Sequence, residues 1–333
     1  MNILYASDEN YLRHAAASMV SLCEHTPPEA ELRFHLLSMG VSSQGAQRLR
    51  DTLAPYGREL CLWELGDLRK WFDFSVNSRG FALSTLARLF VGRVLPEDVH
   101  RVLYLDCDTL PLEDLSALER FDLKGCPLAM AQEPTARHSR KRELGLAPEQ
   151  PYFNAGVLLI DLDRWRAEGT EKTVLDYYRE KGGALLAPDQ DALNGALAGH
   201  ICPLPPRYNF GSVQIYYPWK AQKRMSAPAP FYPTEQAYQQ AAFPPAIIHF
   251  LGEERPWREG NRHPYRAAYE AALAKTPWRG APMESGWQTY FRCFDLFNRL
   301  TRPFPLLRWR IINALIPAFM RYREQARKKK QHG

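Results

Sequence analysis

Short apolar runs alternate with helix-like stretches along the first two thirds of the chain, and this alternation predicts an α/β domain with a largely parallel sheet. The first run covers residues 2–6 and is followed by a helical stretch from Tyr11 to Glu24. Further runs lie at 31–39, 59–63 and 247–252, and the two clearest lie at 101–105 and 155–160. Nearly continuous apolar strands are typical of a sheet covered on both faces. Residues 207–245 are rich in Pro and Tyr, which predicts irregular structure.

Carboxylate pairs follow the two clearest strands, Asp106 and Asp108 after the first, Asp161 and Asp163 after the second. Ligands of open α/β sheets bind beyond the carboxyl ends of the strands, so both pairs mark candidate site positions. A third pair with the same spacing, Asp189 with Asp191, opens a predicted helix. About one such match is expected by chance in a chain of this length, so the surroundings of each pair must distinguish them.

The surroundings favour Asp106 and Asp108 as a cation site. Residues i and i+2 of an extended chain project to the same side, so both carboxylates can reach one hard cation such as Mn²⁺ or Mg²⁺. A solvated strand end is the alternative. For Asp161 helix capping is the better explanation, and for Asp189 capping and ligand binding stay equally open.

His249 lies inside an apolar run, where a buried core histidine is the commoner interpretation. Imidazole is nevertheless a suitable third ligand beside two carboxylates.

The positive charge of the chain is concentrated in its tail. Residues 292–333 contain eight Arg and three Lys against one Asp and one Glu, a net charge of +9, whereas the whole chain carries +6. From Trp287 onward, aromatic residues recur at spacings of three and four, and basic residues alternate with aliphatic ones. This pattern predicts a helix that lies in an anionic membrane interface. The alternatives are a packed helical subdomain and nucleic-acid affinity, and the alternation with aliphatics argues against nucleic acid as a partner.

The compartment predicted from the sequence is the cytoplasm, with peripheral association at the inner face of the membrane. No apolar stretch reaches the roughly 20 residues of a spanning helix, and the first residues lack the pattern of a signal peptide. The six cysteines form no metal-binding spacing, as expected for free thiols.

Six segments, taken in order from residue 1 to about 260, resemble glycosyltransferase family 8. They are ILYASDENY, ARLF at 87–90, VLYLDCDTL at 102–110, YFNAGVLLIDLDRW at 152–165, DQDALN at 189–194 and HFLGEERPW at 249–257. The resemblance implies a GT-A fold, a Rossmann-like mixed sheet flanked by helices, over residues 1–265. The helical, basic and aromatic tail, residues 266–333, would then form a membrane-associating region.

The resemblance also implies an activity: retaining transfer of galactose or glucose from a UDP-sugar to a glycan or lipid-linked acceptor of the lipopolysaccharide type. Mn²⁺, or Mg²⁺ in its place, would be held by Asp106, Asp108 and His249. The implied uridine contacts are Ala6, Asp8, Asn10 and Tyr11. The implied contacts around the hexose are Arg88, Asn154, Asp189 and Gln190, the last two also being the catalytic candidates.

Gly252 and Arg255 complete the implied donor site. Arg255 replaces the Lys that is usual in the family, and its planar guanidinium group can still bind phosphates. Glu133 stands where a shorter Asp is expected, which leaves the donor sugar open.

Two other classes of protein are alternatives. The segment VLYLDCDTL resembles the D-x-D-x-T nucleophile motif of haloacid-dehalogenase phosphatases, but Thr109 directly follows Asp108, one position too early. An inactive protein that binds sugar nucleotides is disfavoured by the complete set of metal and hexose candidates.

Overall fold

The structure, a computed structural model, describes residues 1–79 and 81–331, without the side chains of 319, 320 and 322–331. Nine strands are described in this part of the chain. They are β1 (Asn2–Ser7), β2 (Arg33–Ser38), β3 (Leu60–Glu64), β4 (Arg101–Leu105), β5 (Thr109–Pro111), β6 (Leu128–Gln132), β7 (Phe153–Asp161), β8 (Ile201–Leu204) and β9 (Ile247–His249).

Seven of these strands form one mixed sheet in the order β3-β2-β1-β4-β7-β6-β8. Four of its six strand pairs are parallel, so the predicted parallel character is largely correct. The exception is β7, which runs antiparallel to both β4 and β6. The start of β7 therefore lies at the same sheet edge as the carboxyl ends of β1 and β4.

Thirteen α-helices are described in the same ranges. They are α1 (Leu12–His25), α2 (Ser43–Leu53), α3 (Val91–Val94), α4 (His138–Glu143), α5 (Leu162–Ala167), α6 (Thr170–Glu180), α7 (Pro188–Ala196), α8 (Ser212–Tyr216), α9 (Trp219–Ser226), α10 (Glu235–Ala242), α11 (Arg266–Leu273), α12 (Gln288–Thr301) and α13 (Pro305–Gln331). A 3₁₀ stretch at Leu83–Phe90 precedes α3.

The sheet has an apolar cluster on each face, as the continuous apolar strands predict. Along β1, Leu4 joins the cluster that contains Trp165 of α5, whereas Ile3 and Tyr5 join the cluster beneath α1. Successive side chains of a strand point to opposite faces, so an apolar residue at every position fills both clusters. The predicted mixed α/β fold is confirmed.

A second sheet of two strands pairs β5 with β9 in antiparallel register. Thr109 lies opposite His249 in this register. Since Thr109 directly follows Asp108, the pairing carries a histidine from a distant part of the chain to the end of β4.

Residues 207–245 are more regular than predicted, because they contain α8, α9 and α10. The side chain of Thr234 caps α10 by accepting a hydrogen bond from the amide of Ala237 at 3.1 Å. Proline is compatible with the first turn of a helix, so several prolines in a segment do not exclude short helices between them.

The tail helices pack on the rest of the protein through α8 and α9. Leu306 and Trp309 lie against the buried Val213 and Met225, and the guanidinium of Arg258 lies 3.6 Å from the ring centre of Trp287. No helix within the described residues is long and apolar enough to cross a membrane. Of the basic tail residues, the side chains of Arg323, Arg327 and Lys328–Lys330 lie outside the described part.

Candidate active site

A cleft of about 450 Å³ opens at the sheet edge where β1 and β4 end and β7 begins. The amide of Asp106 donates a hydrogen bond to the carbonyl of Gly156 at 2.8 Å, which ties the end of β4 to the start of β7. Asp161, at the other end of β7, lies opposite Arg101 at the start of β4. The antiparallel direction of β7 therefore removes the second carboxylate pair from the cleft.

The base of the cleft holds a group of three potential metal ligands. One ligand atom from each of Asp106, Asp108 and His249 lies within 4.8 Å of the others. His249 Nε2 is 3.4 Å from a carboxylate oxygen of Asp108 and 3.8 Å from one of Asp106. Two carboxylates with one imidazole form a donor set that suits Mn²⁺, and Mg²⁺ less closely, so these residues fit a divalent cation.

The orientation of the His249 ring is fixed by contacts on the side away from the two carboxylates. Its Nδ1 lies 2.8 Å from the amide oxygen of Asn209, which leaves Nε2 facing the carboxylates. A hydrogen bond of this kind selects the tautomer of a metal-binding imidazole. The ring also lies against Gly156, where a Cβ would stand 2.0 Å from His249 Cε1. Neither Asn209 nor Gly156 was predicted as a site residue from the sequence, although a glycine inside a strand indicates that another group approaches the backbone closely.

The two aspartates differ in their electrostatic surroundings. Burial raises the pKa of Asp106, even though the guanidinium of Arg88 opposes this shift. Burial acts on Asp108 in the same direction, but His249 and Arg255 outweigh it and hold the pKa of that carboxyl below its usual range. Asp108 therefore ionises at a lower pH than Asp106. A bound cation would favour the ionised form of both.

Arg88 links the metal ligands to the opposite wall of the cleft. The buried guanidinium lies 2.5 Å from Asp106 and 3.1 Å from Asp189, and it covers the ring of Tyr104 at 4.3 Å. Tyr104 in turn donates to Asp106 at 2.8 Å. Asp189 lies in the first turn of α7, but the N-cap residue is Ala187, so helix capping does not explain Asp189.

The amide of Gln190 is held at both ends. Its oxygen accepts a hydrogen bond from the amide of Ala155 at 3.1 Å, and its nitrogen donates to the hydroxyl of Tyr152 at 3.0 Å. Tyr152, a second residue that the sequence analysis missed, also donates to Asp191 at 2.7 Å. Asn154 accepts from the amide of Gly156 at 2.9 Å. The wall that faces the metal ligands is thus a rigid set of amide and carboxylate groups.

Arg255 and Tyr11 form the third side of the cleft. Arg255 donates to the hydroxyl of Tyr11 and lies 3.3 Å from the carboxylate of Asp108. Its Nε is buried and has no hydrogen-bond partner among the residues that the structure describes. A buried N–H without an acceptor costs free energy, so this atom is suited to bind an anionic ligand in the cleft.

Eleven of the thirteen predicted site residues line the cleft: Ala6, Tyr11, Arg88, Asp106, Asp108, Asn154, Asp189, Gln190, His249, Gly252 and Arg255. The other two, Asp8 and Asn10, lie in the turn that follows β1. Asp8 caps a 3₁₀ turn by accepting a hydrogen bond from the amide of Asn10 at 3.0 Å. Asp161 caps α5 through the amide of Arg164 at 3.0 Å, which confirms the predicted structural role of Asp161.

The sequence profile of Glycosyl transferase family 8 matches residues 2–260, a range that contains every residue of this site. The chain belongs to this family. Membership excludes the phosphatase alternative, and it confirms the resemblance on which the GT-A fold was predicted.

Relatives of this family 8 protein include a bacterial stress protein and a bacterial lipopolysaccharide glucosyltransferase. General stress protein A of Bacillus subtilis is 30% identical over 84% of this chain and 94% of its own. The lipopolysaccharide 1,2-glucosyltransferase of Escherichia coli is 24% identical over 84% of this chain and 79% of its own. Among solved structures, the galactosyltransferase LgtC in complex with donor and acceptor sugar analogues has a TM-score of 0.72 at 26% identity, over 84% of this chain and 99% of its own.

Proposed function

We propose that this family 8 glycosyltransferase transfers galactose or glucose from a UDP-sugar to a glycan or lipid-linked acceptor, with retention of the anomeric configuration. The observation that carries the proposal is the grouping of Asp106, Asp108 and His249 in one cleft with Asp189 and Gln190. The names of two relatives, a lipopolysaccharide glucosyltransferase and a lipopolysaccharide 1,3-galactosyltransferase of Salmonella typhimurium, support these two hexoses.

Each wall of the cleft has a proposed role. Asp106, Asp108 and His249 would hold Mn²⁺, which supplies a Lewis acid for the negative charge that develops on the departing diphosphate. Arg255 would direct its unpaired N–H to the same phosphates, while Tyr11 stacks on the uracil. Ala6, Asp8 and Asn10, at the end of β1, would complete the uridine site.

The opposite wall would bind the hexose. Asn154 and Asp189 offer acceptors for sugar hydroxyls, and the fixed amide oxygen of Gln190 can stabilise the positive charge that builds up at the anomeric carbon. An amide is a poor nucleophile, so attack of the acceptor hydroxyl on the same face is favoured over a covalent intermediate. The bond from the anomeric carbon to UDP breaks, the bond to the acceptor oxygen forms, and the acceptor proton leaves with a phosphate oxygen. A solved LgtC structure is described as an active-site glutamine-to-glutamate mutant, which supports a role for a glutamine in that relative.

A panel of UDP-sugars, assayed for UDP release with Mn²⁺ and with a chelator, tests this function. We expect turnover of UDP-galactose or UDP-glucose that requires the cation. The anomeric configuration of the product, measured by NMR, tests retention. A β-linked product from an α-linked donor would contradict the roles given to Asp189 and Gln190.

We also propose that the tail places the enzyme on an anionic membrane surface. Leu296, Leu300, Phe304 and Leu307 expose half or more of their surface to solvent, and all lie on or between α12 and α13. The side chains of Arg299 and Arg310 are exposed on these two helices, and that of Arg302 is exposed between them. Apolar groups beside arginines suit the boundary between lipid headgroups and acyl chains. The cytoplasmic side of that membrane stays a prediction from the sequence.

A further inference from the structure

A second cavity, of about 640 Å³, lies between the catalytic unit and the tail helices. Asn154, Leu251 and Gly252 line both this cavity and the cleft of the candidate active site. The two spaces are therefore neighbours that share one wall. A molecule bound in the second cavity would reach the place where the hexose is transferred.

The inner part of this cavity is polar. Glu254 accepts a hydrogen bond from the hydroxyl of Tyr216, and Glu133 accepts one from the amide of Thr135 at 3.2 Å. Burial raises the pKa of both carboxyl groups. Carboxyl and hydroxyl groups in this arrangement suit the hydroxyls of a sugar. Arg308 also lines the cavity, where it donates to Tyr217 and Asn298, and its buried Nε has no partner among the described residues and can donate to a sugar oxygen.

The outer part is apolar and is supplied by the tail. Phe294, Phe297, Ile312, Leu315 and Ile316 line it from α12 and α13. These five side chains offer nothing for a second saccharide unit to bind by hydrogen bonds, and their natural occupant is a hydrocarbon chain.

The tail helices are fixed where they form this wall. Trp309 donates from Nε1 to the carbonyl of Thr135 at 2.9 Å, and Arg308 donates to Tyr217 at 3.0 Å and to Asn298 at 2.8 Å. The wall is therefore built in advance and does not depend on the ligand for its shape.

We propose that this cavity, here called the acceptor groove, binds an amphiphilic acceptor whose saccharide head lies at Glu133 and Glu254 and whose hydrocarbon chain lies against Phe294, Ile312 and Leu315. The inference rests on the proposed transferase function and gives its acceptor class. The volume is within the range of about 300–1,000 Å³ that is usual for small-molecule sites. The position of the groove also fits, because the exposed apolar face of the same helices would lie in the membrane that holds such a lipid.

The test compares methyl β-glucoside with n-octyl β-glucoside, and methyl with n-octyl β-galactoside, as ligands of the full chain below the micellar concentration. Isothermal titration measures the binding. Each buried methylene group strengthens binding by up to about fourfold, so a chain that enters the groove gives the octyl compounds at least about tenfold higher affinity. Equal affinity for methyl and octyl compounds would overturn the inference.

Two leucines of α13 provide matched variants. Leu315 lines the groove and is 59% exposed, whereas Leu307 is 50% exposed and is not part of the groove wall. Leu315→Asn, with Ile312→Asn as a second groove variant, should abolish most of the octyl preference, and Leu307→Asn should retain it. Exposed side chains are tolerant of substitution, so Leu315→Asn keeps the test interpretable if Ile312→Asn does not fold.

Three results count against the groove. An octyl preference that survives both groove variants places the chain elsewhere, and an equal loss in Leu307→Asn indicates non-specific contact with the apolar face. A dimer that dissociates in Leu315→Asn would make the groove an interface between two copies of the chain. UDP release from UDP-galactose and UDP-glucose without any acceptor separates the two proposals, since it tests the transferase and does not depend on the groove.

Discussion

At the scale of single residues, the two aspartates of the candidate metal site differ in how strongly their surroundings favour the charged form. Asp108 faces His249 and Arg255, which favour its charge, while burial disfavours the charge of Asp106. Removing Asp108 takes away the carboxylate beside Arg255, and removing Asp106 takes away one of the two carboxylates beside Arg88. The loss of either one should therefore affect both cation affinity and the position of the cationic groups that face the donor.

Asp106→Asn, Asp108→Asn and His249→Ala should each lower the rate of hexose transfer by about a thousandfold or more. The reason is that a Lewis acid contributes several kcal/mol to the transition state, and each 1.4 kcal/mol is a factor of ten. UDP release and Mn²⁺ binding by titration measure the effect. Asp161→Asn is the matched control and should retain activity, because Asp161 caps α5 at the opposite sheet edge. A similar loss in this control would show that the wrong aspartate pair has been assigned.

Glu254 should make the stability of the protein depend on pH. Burial raises its pKa to about 7, although the hydrogen bond from Tyr216 and the charge of Arg308 oppose the shift, and Asp295 adds to it. The native state then holds a proton that the unfolded chain has released, so this group lowers the free energy of unfolding as pH rises from about 4.5 to 7. Glu254→Gln should therefore be more stable than the natural chain at pH 8, by up to about 3 kcal/mol, and not at pH 4.5. Urea denaturation at both values measures the difference, and a gain that is the same at both would contradict the assignment.

The sequence was sufficient for the residues whose chemistry follows from a local pattern. Asp106 and Asp108 could be found because a buried strand ends directly before them. Tyr152 and Asn209 could not, since each acts on a residue about 40 positions away, Gln190 in one case and His249 in the other. A contact of this kind depends on the register of distant segments, and no short motif carries that information.

At the scale of structural elements, the direction of β7 decides which carboxylates meet. Apolar periodicity identifies a buried strand but is the same for both directions, so by itself it marks both Asp106 and Asp161 as candidate positions. The antiparallel pairing brings Asn154 and Gly156 to the cleft and carries Asp161 away from it. The helices α8, α9 and α10 were missed for a different reason: they are five to eight residues long, too short to show a clear period.

The close approach of β7 to His249 gives a prediction at this scale. Gly156→Ala places a methyl group 2.0 Å from His249 Cε1, so the ring must move and Mn²⁺ affinity should fall at least tenfold. Titration with Mn²⁺ and a thermal melt measure affinity and stability separately. Gly195→Ala is the steric control, because its methyl group would stand 2.1 Å from the ring of Tyr177, outside the cleft. This control should lower the melting temperature and leave Mn²⁺ affinity unchanged; an equal loss of affinity in both variants would mean that general destabilisation is responsible.

At the scale of the whole molecule, the tail has features of two of the interpretations that the sequence left open. It packs as a helical unit on α8 and α9, and it also keeps an exposed apolar face with arginines. Packing alone would bury that face. Because every proposed metal and donor contact precedes residue 260, membrane attachment and turnover of the UDP-sugar should be separable by substitution.

The full chain should bind vesicles that contain anionic lipid, and less strongly as salt is added. Each basic side chain near an anionic leaflet contributes on the order of 1 kcal/mol, and this attraction decays over about 8 Å at physiological ionic strength. Replacing Leu300, Phe304 and Leu307 together by Asn removes exposed apolar surface from the proposed interface and should lower vesicle binding at least tenfold. Co-sedimentation at low and high salt, beside a UDP-release assay, measures both properties.

Phe243→Asn is the control, since Phe243 is 41% exposed but follows α10, outside the tail. Unchanged sedimentation of the triple variant would leave packing as the role of these helices, and lost UDP release would show that the tail also supports the active site.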